Sequence, residues 1–157
     1  AFAEKPQKLS SINAGNYHDF IKRDSGGWKN WDVGSRYNEE PLAIRAVVDF
    51  YRKSADKTPV YVLFISDGGV HKESDWPITS LITDAAKLPL FWQFVGVGGS
   101  SYGVLERLDT MTGRVVDNCN FFALDDLHSV SEEGLYDRLM AGFPDWLRAA
   151  KDKRIIV

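Results

Sequence analysis

The chain has 157 residues, 44% of them hydrophobic and 26% charged, with a formal net charge of −3. That is enough chain for one domain with a proper core, and it offers neither the basic surface that nucleic acids or anionic membranes attract nor an apolar run as long as a bilayer span. The lone cysteine, Cys119, cannot form an internal disulfide, which fits a reducing cytoplasm. The chain opens Ala1-Phe2-Ala3-Glu4 without an initiator methionine and reads as part of a longer protein.

In chain order, Phe2-Ala3 reads as the end of a strand, and Pro6 with Ser10-Ser11 as loop. Tyr17, Phe20 and Ile21 sit at near-helical spacing and predict a short helix over residues 16–23. Residues 24–37 form a longer connection than usual, carrying Gly26-Gly27, Trp28, Trp31 and Gly34; such a loop serves function or simply packs its tryptophans over the core. Asn38 is expected to cap a helix with Glu39 and Glu40 in its first turn and Pro41 close behind. Ile44, Val47, Val48 and Tyr51 then recur as one buried stripe.

Residues 60–65 are a continuous apolar run, the pattern of a strand covered on both faces in a parallel sheet. The run stops at Ser66-Asp67-Gly68-Gly69, where a carboxylate meets two turn-permitting residues. In open α/β sheets, ligands collect beyond the carboxyl ends of strands. Asp67 is therefore the first residue expected to meet a ligand or metal, the plain alternative being a carboxylate that caps a turn.

Asp75 is expected to cap the next helix, with Pro77 in its first turn and Ile78, Leu81, Ile82 and Ala85 as its stripe. A second strand follows over residues 90–97, and Val104, Leu105, Leu108 and Met111 line a third helix. Residues 114–116 and 121–123 are short strand candidates. Ser129 and Glu132 have capping-box spacing for a helix to about residue 141, and Pro144 restarts a last helix through Trp146, Leu147 and Ala150. Strands alternating with helices at this spacing imply an α/β fold with a parallel sheet.

Other motifs compete. Gly99-Ser-Ser-Tyr-Gly103 matches the Gly-x-Ser-x-Gly elbow of a hydrolase, with Ser101 as nucleophile. Its partners would be His128 and the adjacent Asp125 or Asp126, a poor triad; Ser100 or Ser101 as a helix cap is the plainer account. Gly96-Val-Gly98 lacks the third glycine of a dinucleotide fingerprint, and Asp125-Asp126 reads as a turn cap. His18, His71 and His128 are scattered, with no spacing for zinc.

The segments 60–69, Phe91-Trp-Gln-Phe-Val-Gly-Val-Gly-Gly99, Leu105-Glu-Arg-Leu-Asp109, Arg114-Val-Val-Asp-Asn118 and Phe121-Phe-Ala-Leu-Asp-Asp126 resemble the TerF-like von Willebrand factor A (vWA) domain of bacterial tellurium-resistance and stress-response proteins. The resemblance is dense over residues 40–148. It implies one Rossmann-like α/β domain across residues 1–157, its mostly parallel central sheet flanked by helices. It also implies a metal-ion-dependent adhesion site, in which three loops offer oxygens to a divalent cation, usually Mg2+. On that pattern Asp67 matches the third-loop aspartate, and Ser35 stands near the second-loop threonine. Gly68, Gly69 and His71 then lie where a partner docks. The first loop, Asp-x-Ser-x-Ser, does not occur, and Ala1-Phe2-Ala3 resembles the family's second strand. The first strand and first metal loop are thus expected upstream of Ala1, leaving an incomplete site. The resemblance implies a cytoplasmic, non-catalytic module that binds another protein, possible alternatives being the Ser101 hydrolase and a metal-free interaction domain.

Overall fold

A computed structural model describes residues 1–99 and 101–156. Three strands form one sheet in the order β1 (Val60–Ser66), β2 (Leu90–Val97), β3 (Cys119–Leu124). Both pairings are parallel, with Phe64 opposite Phe94 and Phe94 opposite Phe121. Parallel neighbours need long crossovers, and helices supply them. The helices are α1 (Phe20–Arg23), α2 (Glu40–Lys53), α3 (Asp75–Ala85), α4 (Val104–Leu108), α5 (Glu132–Met140) and α6 (Phe143–Asp152).

Side chains that alternate across β2 feed two cores. Trp92 and Phe94 point to the layer of α2, α3 and α4, where Ile44, Val48, Ile78, Ile82, Leu105 and Leu108 are buried. Phe91 faces the other way, onto Trp146 and Ala150 of α6. Gln93 is fully buried in mid-strand, and Asn120 opposite it satisfies it: the Asn120 amide donates to Gln93 Oε1 at 3.0 Å, and Gln93 Nε2 donates to the Asn120 carbonyl at 3.3 Å. A buried amide is tolerable on that condition.

β2 is buried almost throughout, as its apolar run predicts. β1 is not covered on both faces: Leu63 and Ile65 remain exposed because α6 reaches only as far as Tyr61 and Phe91 on that side. Among the described residues β1 pairs with β2 alone. Along its outer edge runs an apolar groove of about 520 Å³, lined by Phe2, Val47, Phe50, Val62 and Leu63 among others.

Several local expectations shift. The first helix shrinks to Phe20–Arg23, because Asp19 before it is left-handed (φ 53°). Phe2 makes an isolated antiparallel bridge to Pro6 and stacks its ring 5.0 Å from Phe64, so the start of the chain is a strap and not a strand. Asp75 is the first residue of α3, not its cap. Residues 114–116 are not a strand: the Arg114 side chain folds inward to the Met111 carbonyl (2.9 Å), Asn118 Oδ1 (3.2 Å) and Cys119 Sγ (2.6 Å), winding the segment into a compact turn. α5 is capped by Ser131, whose hydroxyl accepts from the Gly134 amide at 3.1 Å, while the Ser129 hydroxyl donates to the Asp126 carbonyl.

Cys119 is buried beside this turn. Burial pushes its thiol pKa up to about 12, against the nearby Arg114 charge and hydrogen bond, which favour the thiolate. Native protein at pH 8 is expected to resist a thiol-specific disulfide reagent and to react with one equivalent once denatured. The unfolded thiol ionises near pH 9 while the folded one holds its proton to about 12. Stability from this group is therefore present below pH 9 and falls as pH climbs through that window. Rapid labelling of the native state would contradict the burial.

Candidate functional site

The carboxyl ends of three parallel strands lie together, so the segments that follow them share one rim. After β1 the chain turns through Gly68 (φ 91°) and Gly69 (φ 72°), a conformation that side chains disfavour. The Ser66 hydroxyl accepts from the Gly68 amide at 3.2 Å, which tightens the turn. The Gly69 amide donates to the Ser101 carbonyl at 3.1 Å, tying the β1 loop to the β2 loop. The Gly99 amide donates to the Tyr102 hydroxyl (3.1 Å), which donates to Asp125 Oδ1 (3.3 Å) beyond β3. One row of bonds thus joins all three loops.

Against this rim lies a cleft of about 500 Å³ lined by Ala3, Ser35, Arg36, Tyr37, Asn38, Asp67, Gly68, Gly69 and His71. The five residues singled out from sequence (Ser35, Asp67, Gly68, Gly69 and His71) therefore meet in one place, although some thirty residues separate Ser35 from the others. Asp67 is exposed on the rim.

Asn38 does not cap α2. Its amide Nδ2 reaches across the cleft to donate to Asp67 Oδ1 at 3.1 Å, and Glu39 occupies the cap position without a side-chain bond. The Ser35 loop is held by a residue that sequence reasoning passed over: Glu4 Oε1 accepts from the amides of Ser35 (3.0 Å) and Arg36 (2.8 Å). The Ala3 carbonyl accepts from the Glu39 amide at 2.9 Å, so the N-terminal strap positions both ends of the second loop.

Glu40, expected as an ordinary first-turn acid, is fully buried. Neither carboxylate oxygen has a hydrogen-bond partner of acceptable geometry among the described residues. Burial raises its pKa; its own amide and His71 oppose that rise, while Glu39 and Asp67 add to it. Among the described residues no three of His, Cys, Asp and Glu gather as a metal-holding group. An ion here would take at most two carboxylates beside hydroxyl, amide and carbonyl oxygens.

The competing motifs share the rim but do not line the cleft. Ser101 is exposed and Gly103 precedes α4, so Ser101 is not the helix cap; Ser100 lies outside the described residues. Asp126 Oδ1 accepts from the backbone amide of His128 at 2.9 Å, the turn cap expected of that carboxylate. Gly96 is a packing glycine: a Cβ there would meet the Tyr102 ring at 2.5 Å. Trp92 is core, whereas Trp28 and Trp76 are exposed on separate patches. No helix among the described residues is long and apolar enough to cross a membrane.

Residues 1–156 match a family model described as vWA found in the TerF C terminus. Over 120 residues the chain is 39% identical to the Bacillus subtilis (strain 168) protein named Uncharacterized protein YcbR, covering 76% of this chain and 48% of that relative. The chain thus spans about half the length of the curated relative it matches.

Proposed function

The chain belongs to the TerF-like von Willebrand factor A family, and from that premise we propose that it is a protein-interaction domain whose docking surface is the cleft at Asp67, assisted by a divalent cation. Domains of this type are in general protein-binding modules. The observation that supports this reading is the convergence of Ser35, Asp67, Gly68, Gly69 and His71 on one cleft at the carboxyl rim of the sheet.

The donors fit a hard cation. Asp67 brings a carboxylate, Ser35 a hydroxyl and Asn38 an amide oxygen, the class of ligand that Mg2+ prefers. When bound, the ion supplies an electrophilic position that an acidic side chain of a partner can complete. Asn38 fixes one Asp67 oxygen, the Gly68–Gly69 turn keeps the approach unobstructed, and Glu4 holds the Ser35 loop in place. Among the described residues the outer edge of β1 pairs with no strand, and an apolar groove runs along it. The role is binding and not catalysis, within a bacterial tellurium-resistance or stress-response system in the cytoplasm.

Calorimetric titration of MgCl2 into the full-length polypeptide tests the proposal. One binding event is expected, abolished in Asp67→Ala while circular dichroism shows the fold intact. Heat that survives this substitution, or no heat in the parent protein, overturns the metal-assisted reading.

A further inference from the structure

Glu40 opens α2 in surroundings that a carboxylate does not accept unaided. It is 0% exposed, and both oxygens lack hydrogen-bond partners among the described residues. Buried acceptors in folded proteins are almost always satisfied, and a buried charge without a partner is strongly disfavoured. The N-terminal dipole of α2 and Glu40's own amide favour negative charge there, but no bond of acceptable geometry reaches either oxygen among the described residues.

The neighbours narrow what could satisfy it. Asp67 and His71, both on the cleft, are close enough to act on the Glu40 charge, in opposite directions. The Asn38 amide is turned toward Asp67, and the Glu39 amide toward the Ala3 carbonyl. Two carboxylates, one sealed from solvent and one on the rim, thus stand at the junction of α2 and β1. A small cation relieves both: it supplies the missing partner of Glu40 and offsets the repulsion from Asp67. A neutral donor could supply the hydrogen bond but would not offset the repulsion from Asp67, and an anion would do neither.

We infer that Glu40 is a second carboxylate ligand of the cation proposed at Asp67, contributed by this chain and not by residues preceding Ala1. The inference rests on the reading of the cleft given above. Its consequence is that the 157-residue chain supplies two carboxylates of its own to a hard divalent cation, against the Arg36 side chain that also lines the cleft. It also separates Glu40 from Glu39, which is adjacent in sequence but has no such position.

The test is calorimetric titration of MgCl2, paired with thermal unfolding with and without the salt. Parent protein, Glu40→Gln, Glu39→Gln and Asp67→Ala are compared. Glutamine keeps the shape of Glu40 and removes its charge. At least a tenfold loss of Mg2+ affinity is expected in Glu40→Gln, since even outer partners of metal ligands change affinity by about 10- to 100-fold. Glu39→Gln should match the parent. The salt-induced rise in melting temperature should shrink in Glu40→Gln but not in Glu39→Gln. If Asp67→Ala abolishes binding and Glu40→Gln leaves it unchanged, the inference falls while the reading of the cleft stands. If the full-length polypeptide binds no cation, both fall; if it binds and the 157-residue chain does not, this inference falls alone. Should Glu40→Gln fail to fold, Glu40→Asp retains the charge one methylene short, and parent-like affinity there overturns the inference.

Discussion

Replacing Trp92 with alanine should cost about 3–5 kcal/mol, the range for removing a large aromatic from a core. Domains of this kind are stable by only about 5–15 kcal/mol, so much of that margin disappears. Trp92 is fully buried in the middle strand, stacked at 8° on Phe94 with ring centroids 6.0 Å apart. Its register partners are Val62 on one side and Cys119 on the other, so the cavity would open under every strand at once. The indole nitrogen has no hydrogen-bond partner among the described residues. Trp92→Phe should therefore cost markedly less, because it removes volume without stranding another group. Urea denaturation of the three proteins checks the order, and equal midpoints for parent and alanine variant would contradict the packing described.

Gly96→Ala should destabilise by about 1–3 kcal/mol, the usual cost of forcing volume into a filled core. The added methyl would lie 2.5, 2.6 and 2.7 Å from Cε1, Cζ and Cδ1 of Tyr102. Tyr102 cannot swing aside cheaply, because it is buried and its hydroxyl links Gly99 to Asp125. Combining Gly96→Ala with Tyr102→Ala should destabilise less than the sum of the singles, with a coupling of at least about 0.5 kcal/mol. Strict additivity would mean that the ring is not the obstacle.

Much of the fold was readable from pattern. The run 60–65 and the run 90–97 became adjacent parallel strands, and the stripe Ile44, Val48, Tyr51 became the buried face of α2. The fold family followed from motifs rather than from periodicity, and Ser35 and Asp67 line one cleft. What escaped was every feature decided by a distant neighbour. An asparagine followed by two glutamates and a proline reads as a capped helix start, but Asn38 was drawn to Asp67, a contact invisible in local sequence. Glu40 matched the helix dipole rule equally well, and only the packing around it reveals its burial. Ser131 displaced Ser129 because capping depends on where the turn before the helix ends, which spacing alone does not fix. Arg114 looked like a strand residue and proved to be the centre of a turn.

The margin of the sheet at β1 has a practical consequence. Proteins usually guard such margins with lysines, prolines or short strands, yet residues 60–65 contain none of these. Two molecules meeting there could zip their backbones together, so the purified domain should clump more as it is concentrated.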